Sequence, residues 1–204
     1  MVYRRKDAFY TRAKAAGYRS RAAFKLLQFV QRGRLIQRGD RVLDLGAWPG
    51  GWLQVAADLV GPGGKVIGID LQPIEPLPQK HVITVVGDVA DRLAQQQMLE
   101  ACEGRVDVLL SDLAPKLSGV RARDEAQAEV LAHVALTLAD QVLTPGGKLV
   151  MKLFTGDAAT QLLRELRARF ANVRTTRPKA TRKGSAEIYA IAVSFLRGGG
   201  PPAR

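Results

Sequence analysis

Five apolar, β-branched runs of this chain each close on an ionisable residue: Arg41-Val-Leu-Asp44, Val66-Ile-Gly-Ile-Asp70, Val82-Ile-Thr-Val-Val-Gly-Asp88, Val106-Asp-Val-Leu-Leu-Ser-Asp112 and Lys148-Leu-Val-Met-Lys152. A charge at the end of such a run is costly if buried without a partner. In an open parallel α/β sheet, however, the carboxyl ends of the strands line one crevice, and ligands bind there. Asp44, Asp70, Asp88, Asp112 and Lys152 then face a common site. Carboxylates there can accept hydrogen bonds or hold a cation, and a lysine can move a proton. The pattern is that of an enzyme.

The elements that must position these residues alternate. Ser20 is placed to cap a helix over Arg21–Gln31, with Ala22, Ala23, Leu26, Leu27 and Val30 at helical spacing. Gly39-Asp40 turns the chain into the first strand. Further helices are predicted over Gly51–Leu59, Ala90–Ala101, Asp124–Leu143 and Asp157–Phe170, and Thr144-Pro-Gly-Gly147 is a turn before the Lys152 strand. This rhythm predicts an α/β fold with a parallel sheet and helices on both faces. A strand near Asn172–Thr176 is followed by Ala186–Phe195 with no helix between, so the last strand is predicted to be antiparallel. No internal repeat is present, and 197–204 reads as a disordered tail.

With 204 residues and 47% hydrophobic content, the chain suits one globular core. A lone cysteine, Cys102, excludes an internal disulfide and suits a reducing compartment. His81 and His133 are isolated, so no metal site is expected. No apolar run is long enough for a membrane span. The start lacks the apolar segment of a secretory signal, although its arginine-rich, acid-poor composition is also that of a mitochondrial transit peptide. A cytoplasmic monomer is the expectation, with the mitochondrial matrix as the alternative. Of the net charge of +12, residues 1–38 carry +10 and residues 164–184 carry +7, which leaves −5 for the rest. Two basic blocks flanking an acidic middle suggest a polyanion surface. The candidate contacts are Arg19, Arg21, Arg34, Arg177, Lys179, Arg182 and Lys183. Either block alone could instead be a solvated helix face.

The segment Asp44-Leu-Gly-Ala-Trp-Pro-Gly-Gly-Trp52 follows the first strand and opens a helix. It is neither the dinucleotide fingerprint nor a phosphate loop. It lacks a lysine, and Asp44 would repel a pyrophosphate. An acid ahead of Gly46, Gly50 and Gly51 suits a ligand with a cationic centre, and S-adenosylmethionine, with its sulfonium and amino group, fits. Asp70 could accept from ribose hydroxyls, as the acid does in dinucleotide folds, and Asp88 from an adenine amino group. The bland alternative is that the glycines serve a packed turn and the aspartates cap helices. Trp48 and Trp52 could wall the pocket, with buried core the other role for Trp52.

Lys152 and Asp112 close adjacent predicted strands, and Glu187 opens the antiparallel strand at the same edge. Lys25 could close the site from the N-terminal helix, although taken alone it reads as a snorkelling surface lysine. Five segments, Gly17-Tyr-Arg-Ser-Arg-Ala-Ala-Phe-Lys25-Leu, Asp44–Trp52, Ser111-Asp112-Leu-Ala-Pro-Lys-Leu-Ser-Gly119, Leu149-Val-Met-Lys152-Leu-Phe and Ser185-Ala-Glu187-Ile-Tyr, make the chain resemble the FtsJ/RrmJ family of ribosomal RNA 2′-O-methyltransferases. The resemblance covers roughly residues 8–196. Trp48 departs from it where the family usually has a small residue, and Lys116 where it often has Asn.

The resemblance implies a Rossmann-like, S-adenosylmethionine-dependent methyltransferase fold: a mostly parallel seven-stranded sheet with a C-terminal antiparallel strand. The expected organisation is a basic N-terminal extension over 1–19 and a methyltransferase domain over 20–196. The family's Lys-Asp-Lys-Glu tetrad maps onto Lys25, Asp112, Lys152 and Glu187. Asp44, Gly46, Gly50, Gly51, Trp52, Asp70, Asp88 and Asp112 are the expected cofactor residues. The implied substrate is a uridine of large-subunit ribosomal RNA, in an assembled or nearly assembled subunit. An alcohol nucleophile must lose its proton as the new bond forms, and Lys152 is the candidate acceptor. Because an ordinary lysine has a pKa of about 10.4, a protonated Lys152 stabilising alkoxide charge is the alternative. Transfer to a transfer RNA or a messenger cap, a small-molecule methyltransferase, and a non-catalytic RNA-binding assembly factor on the same fold are the competing readings. The intact tetrad argues against the last, and the basic blocks argue against a small-molecule substrate.

Overall fold

A computed structural model describes residues 8–31, 34–116, 118–182 and 184–196. Its elements in order are α1 (Ala8–Ala15), α2 (Ala23–Gln31), β1 (Arg41–Leu45), α3 (Gly51–Val60), β2 (Lys65–Asp70), β3 (Val82–Val86), α4 (Arg92–Cys102), β4 (Val106–Ser111), α5 (Arg121–Val142), β5 (Leu143–Phe154), α6 (Asp157–Arg169), β6 (Phe170–Thr176) and β7 (Glu187–Phe195). The seven strands form one sheet in the order β3-β2-β1-β4-β5-β7-β6. β1 to β5 pair in parallel, and β7 runs antiparallel to both of its neighbours. The connection from β6 to β7 is too short for a helical crossover, which forces the antiparallel return.

Because side chains alternate across a strand, the sheet separates two cores. Leu43, Leu109, Met151 and Ala190 face α4, α5 and α6. Val42, Leu110, Val150 and Tyr189 face α2 and α3. Counting forward in steps of two places Asp44, Asp112, Lys152 and Glu187 on the α2 side. The same parity that buries the apolar residues therefore brings the ionisable ones together beneath α2.

Residues 8–15, within the expected N-terminal extension, form helix α1, which packs on α2. Three sequence expectations are corrected. Lys152 does not close its strand, since β5 continues to Phe154, opposite Glu187. The Thr144-Pro-Gly-Gly147 signal is folded into β5 as an irregularity: Val106 pairs with Leu143 and Val108 with Lys148. Gly146 takes a φ of +79° there, so the local turn chemistry was read correctly but the strand resumes on both sides of it. Helix α5 begins at Arg121, three residues ahead of Asp124. The predicted tail at 197–204 lies outside the described residues.

Candidate active site

Helix α2 buries Ala23, Lys25, Leu26 and Phe29. Phe29 fixes the helix against the sheet by meeting the rings of Trp52 and Tyr189, with centroids 6.2 and 5.0 Å away. One turn earlier, this packing lowers Lys25 into the site, where it is only 8% exposed. Its Nζ donates to Glu187 Oε1 at 2.6 Å and to the Tyr189 hydroxyl at 2.8 Å. That hydroxyl in turn donates to Asp112 Oδ1 at 2.6 Å. Lys152 Nζ donates to Asp112 Oδ1 at 2.7 Å and to the Asp112 carbonyl at 2.9 Å, and stands 4.0 Å from Glu187 Oε2. The contacts close a ring of two ammonium groups, two carboxylates and one phenol. Burying ions is tolerable only when each is paired and hydrogen-bonded, and this ring supplies both conditions.

The electrostatics follow. Burial pushes the Asp112 carboxyl upward, but Lys152 and Lys25 together with the hydrogen bonds from Lys152 and Tyr189 outweigh it, and the group sits below its ordinary range. Burial, then the charges of Asp112 and Glu187, hold the Tyr189 phenol well above its own. Tyr189 is therefore a fixed donor. Sequence reasoning missed it, because a tyrosine in an apolar strand reads as core. The available signal was its position two residues after Glu187, on the same face of β7. Lys25, read alone as a snorkelling side chain, is instead drawn inward by Glu187 and the Tyr189 hydroxyl.

The other side of the crevice is built around Asp44. This carboxylate is fully buried, and neither of its oxygens has a hydrogen-bond partner. Burial, then Asp112, then Asp70, hold it well above the ordinary range. Asp70 at the end of β2 accepts from the Trp48 amide at 3.0 Å and the Gln72 amide at 2.9 Å, which fastens the β1–α3 loop. Gly46 and Gly50 have φ of +78° and +104°. A Cβ at Gly46 would press on Leu113 at 3.1 Å, and one at Gly50 on Arg19 at 3.0 Å, so the loop is closely packed by its neighbours. Gly51 allows Ser20 to lie against the start of α3. An orphaned buried carboxylate flanked by two more fits a cationic ligand, and Asp44, Asp70 and the backbone at Gly46 are the groups able to hold one. Among the described residues, no group of three or more His, Cys, Asp or Glu side chains is placed to hold a metal ion.

Several expected roles change. The Trp52 side chain does not wall the crevice: it is 3% exposed, and its indole N–H donates to the Ala22 carbonyl at 2.7 Å. The exposed residue is Trp48, at 49%. Asp88 lies beyond β3, exposed, with one oxygen accepting from the Ala90 amide at 2.9 Å. The Arg19 guanidinium bridges to the carbonyls of Glu75 at 2.5 Å and Pro76 at 2.8 Å. Arg21 donates to the Ala180 carbonyl and lies over the Phe9 ring. Arg34 is exposed in the connection leading to the start of β1, towards the opposite edge of the sheet. Arg177, Lys179 and Arg182 are exposed in the β6–β7 connection, and Lys183 lies outside the described residues.

A seven-stranded, mostly parallel sheet with β7 inserted antiparallel, and an acid-led glycine loop after β1, define a Rossmann-like methyltransferase fold. Fibrillarin from Aeropyrum pernix, crystallised with S-adenosyl-L-methionine, shares this fold with a TM-score of 0.59 at 19% identity, over 86% of this chain and 75% of that one. The model of the FtsJ-like methyltransferase family matches residues 18–195, and the chain belongs to that family. It is 50% identical over 190 residues to the ribosomal RNA large subunit methyltransferase E of Methanoculleus marisnigri, covering 93% of this chain and 92% of that protein. The protein of that description from Alkalilimnicola ehrlichii is 49% identical, covering 93% and 90%. A Plasmodium falciparum structure described as a ribosomal RNA methyltransferase superposes with a TM-score of 0.75 at 28% identity, over 88% of this chain and all of that one.

Proposed function

We propose that this enzyme transfers a methyl group from S-adenosylmethionine to a ribose 2′-hydroxyl of large-subunit ribosomal RNA. The observation that carries the reading is the closed ring of Lys25, Glu187, Lys152, Asp112 and Tyr189 at the carboxyl edge of the sheet, beside the unpartnered Asp44. The relatives' descriptions supply the substrate class.

S-adenosylmethionine, when bound, supplies an electrophilic methyl on a sulfonium that departs as a neutral thioether. Asp44 is proposed to meet the cationic part of this cofactor, with Asp70 accepting from its ribose and Asp88 near its base. Two positions on Lys152 Nζ are committed to Asp112, at Oδ1 and at the carbonyl. The remaining position is the one proposed to orient the 2′-hydroxyl, and to take its proton where Nζ stands as the neutral amine with its lone pair directed there. Asp112 anchors that lysine. Tyr189 and Lys25 anchor Asp112 and Glu187 in turn, so Lys152 is held in one geometry, as positioned proton transfer requires. Glu187 supports both lysines. The target is proposed to be a uridine, reached on the assembled or nearly assembled subunit by a cytoplasmic monomer.

Purified enzyme with radiolabelled cofactor and either large subunits lacking the modification or naked ribosomal RNA tests this reading. We expect faster label incorporation into subunits, located at one ribose 2′ position. Equal rates on both would remove the subunit from the proposal. Label only in transfer RNA or capped RNA would overturn the ribosomal assignment. No label in any RNA, with the cofactor bound, would leave a binding protein.

A further inference from the structure

Beneath the β6–β7 connection, on the outer side of α2, lies a cleft of about 280 Å³ lined by Gln28, Phe29 and Gln31 of α2 and by Arg174, Thr176, Arg177, Pro178 and Lys179. It is separate from the crevice at the strand ends. Three cationic residues and two amides surround it, and no lining residue is acidic. Among the described residues, the side chains of Arg174, Arg177 and Lys179 have no hydrogen bond or ion pair that occupies them. β6 is the edge strand of the sheet, and charges commonly protect such an edge from pairing with another chain. That role needs charges spread along the strand. Here they converge on a concavity opposite a helix.

We infer that this cleft binds a phosphodiester of the RNA strand whose ribose enters the tetrad, an inference that rests on the proposed RNA substrate. The cationic walls match a phosphate, and the glutamine amides can donate to its oxygens. Its placement matches a neighbouring nucleotide. Gln28 and Gln31 stand three and six residues beyond Lys25 on the same helix, about 4.5 and 9 Å along its axis. The cleft is also tied to the site through bonds already formed. The Gln28 side-chain oxygen accepts from the Lys179 amide at 2.8 Å. Phe29 touches Tyr189, and Thr176 pairs with Tyr189 across the strands. A strand gripped here is held against the helix that carries Lys25.

The test is the Arg174→Gln/Arg177→Gln variant of the full chain, with its melting temperature checked against wild type. Affinity for ribosomal RNA fragments is measured across a salt series, and binding of inorganic phosphate is measured separately. We expect RNA affinity to fall about tenfold, with the salt slope reduced by about 0.7–1 for each arginine, and S-adenosylmethionine affinity to be unchanged. A folded variant with wild-type RNA affinity and slope overturns the inference. So does a wild-type cleft that takes up inorganic phosphate while the variant loses that binding but keeps its RNA affinity. Failure of the RNA reading itself is distinguishable, because it appears as absent methyl transfer to RNA by the wild-type enzyme.

Discussion

Asp44 and Asp112 leave neighbouring strands on the same face of one sheet, yet they are opposites. Asp112 receives Lys152 and Tyr189 and is held below its ordinary range. Asp44 has no partner for either oxygen and is held well above it. One half of the crevice carries its own counter-charges, and the other leaves a buried carboxylate for a cation to satisfy. The tetrad half is pre-organised machinery, in which reorganisation has been settled by folding. On the proposed function the Asp44 half acts as a receptor, in which the unfavourable burial of a lone carboxyl is relieved by the ligand.

Breaking the tetrad half should have the largest effect. Lys152→Ala is expected to lower methyl transfer by about 10²–10⁴, with cofactor binding retained by calorimetry. Lys152→Arg should fail as well, because guanidinium does not release its proton. An active Lys152→Arg enzyme would show that proton acceptance at this position is not required. On the receptor side, Asp70→Ala removes a charged acceptor and the clasp on the Trp48 amide. A loss of about 1.5–3 kcal/mol, or roughly 10- to 150-fold in cofactor affinity, is expected.

Asp44→Asn sharpens the contrast, because it should weaken cofactor binding while stabilising the cofactor-free protein. A carboxyl whose folded pKa is raised stabilises the fold below its unfolded value of about 3.9 and loses that contribution as pH rises through the folded value. The variant's advantage in melting temperature should therefore be present at neutral pH and vanish in acid. In a chain of this size each kcal/mol of relief is worth about 2–4 °C. Equal melting curves at pH 7 would contradict a cost of burying the unpartnered Asp44 carboxyl. A smaller effect is expected from Tyr189→Phe, roughly tenfold or less in rate. Without the phenol's hydrogen bond the Asp112 carboxyl rises, and the acid limb of the pH–rate profile moves to higher pH. An unmoved limb would reduce Tyr189 to packing. Glu187→Ala should be mildest among the ring members, since Lys152 keeps both of its bonds to Asp112.

The contrast also explains what could be read from the chain alone. Strand-end chemistry is written locally: an acid after an apolar run locates Asp70 and Asp112, and spacing puts Glu187 at the mouth of β7. Whether a given acid has partners is not local. The 0% exposure of Asp44 and the ring around Asp112 depend on α2 and β7 arriving from opposite ends of the chain. The partners of the arginines are hidden for the same reason. Arg19 and Arg21 carry charge suited to RNA, but their partners are carbonyls 56 and 159 residues away. Arg174 escaped notice because a single arginine in a half-exposed strand has no signal until the sheet sets it opposite Gln28 and Gln31.

The insertion of β7 between β5 and β6 has a consequence for the order of folding. Lys25 and Glu187 are 162 residues apart, and β5, the parallel neighbour of β4, keeps an unpaired edge until β7 docks beside it. Contacts of such separation form late, after the loop entropy between them has been overcome. The β1–α3 loop and β2 come from an early, nearly contiguous stretch and need no such closure. Synthesis therefore delivers the Asp44–Asp70 half of the crevice first, and the ring around Asp112 closes only when the final strand completes the sheet.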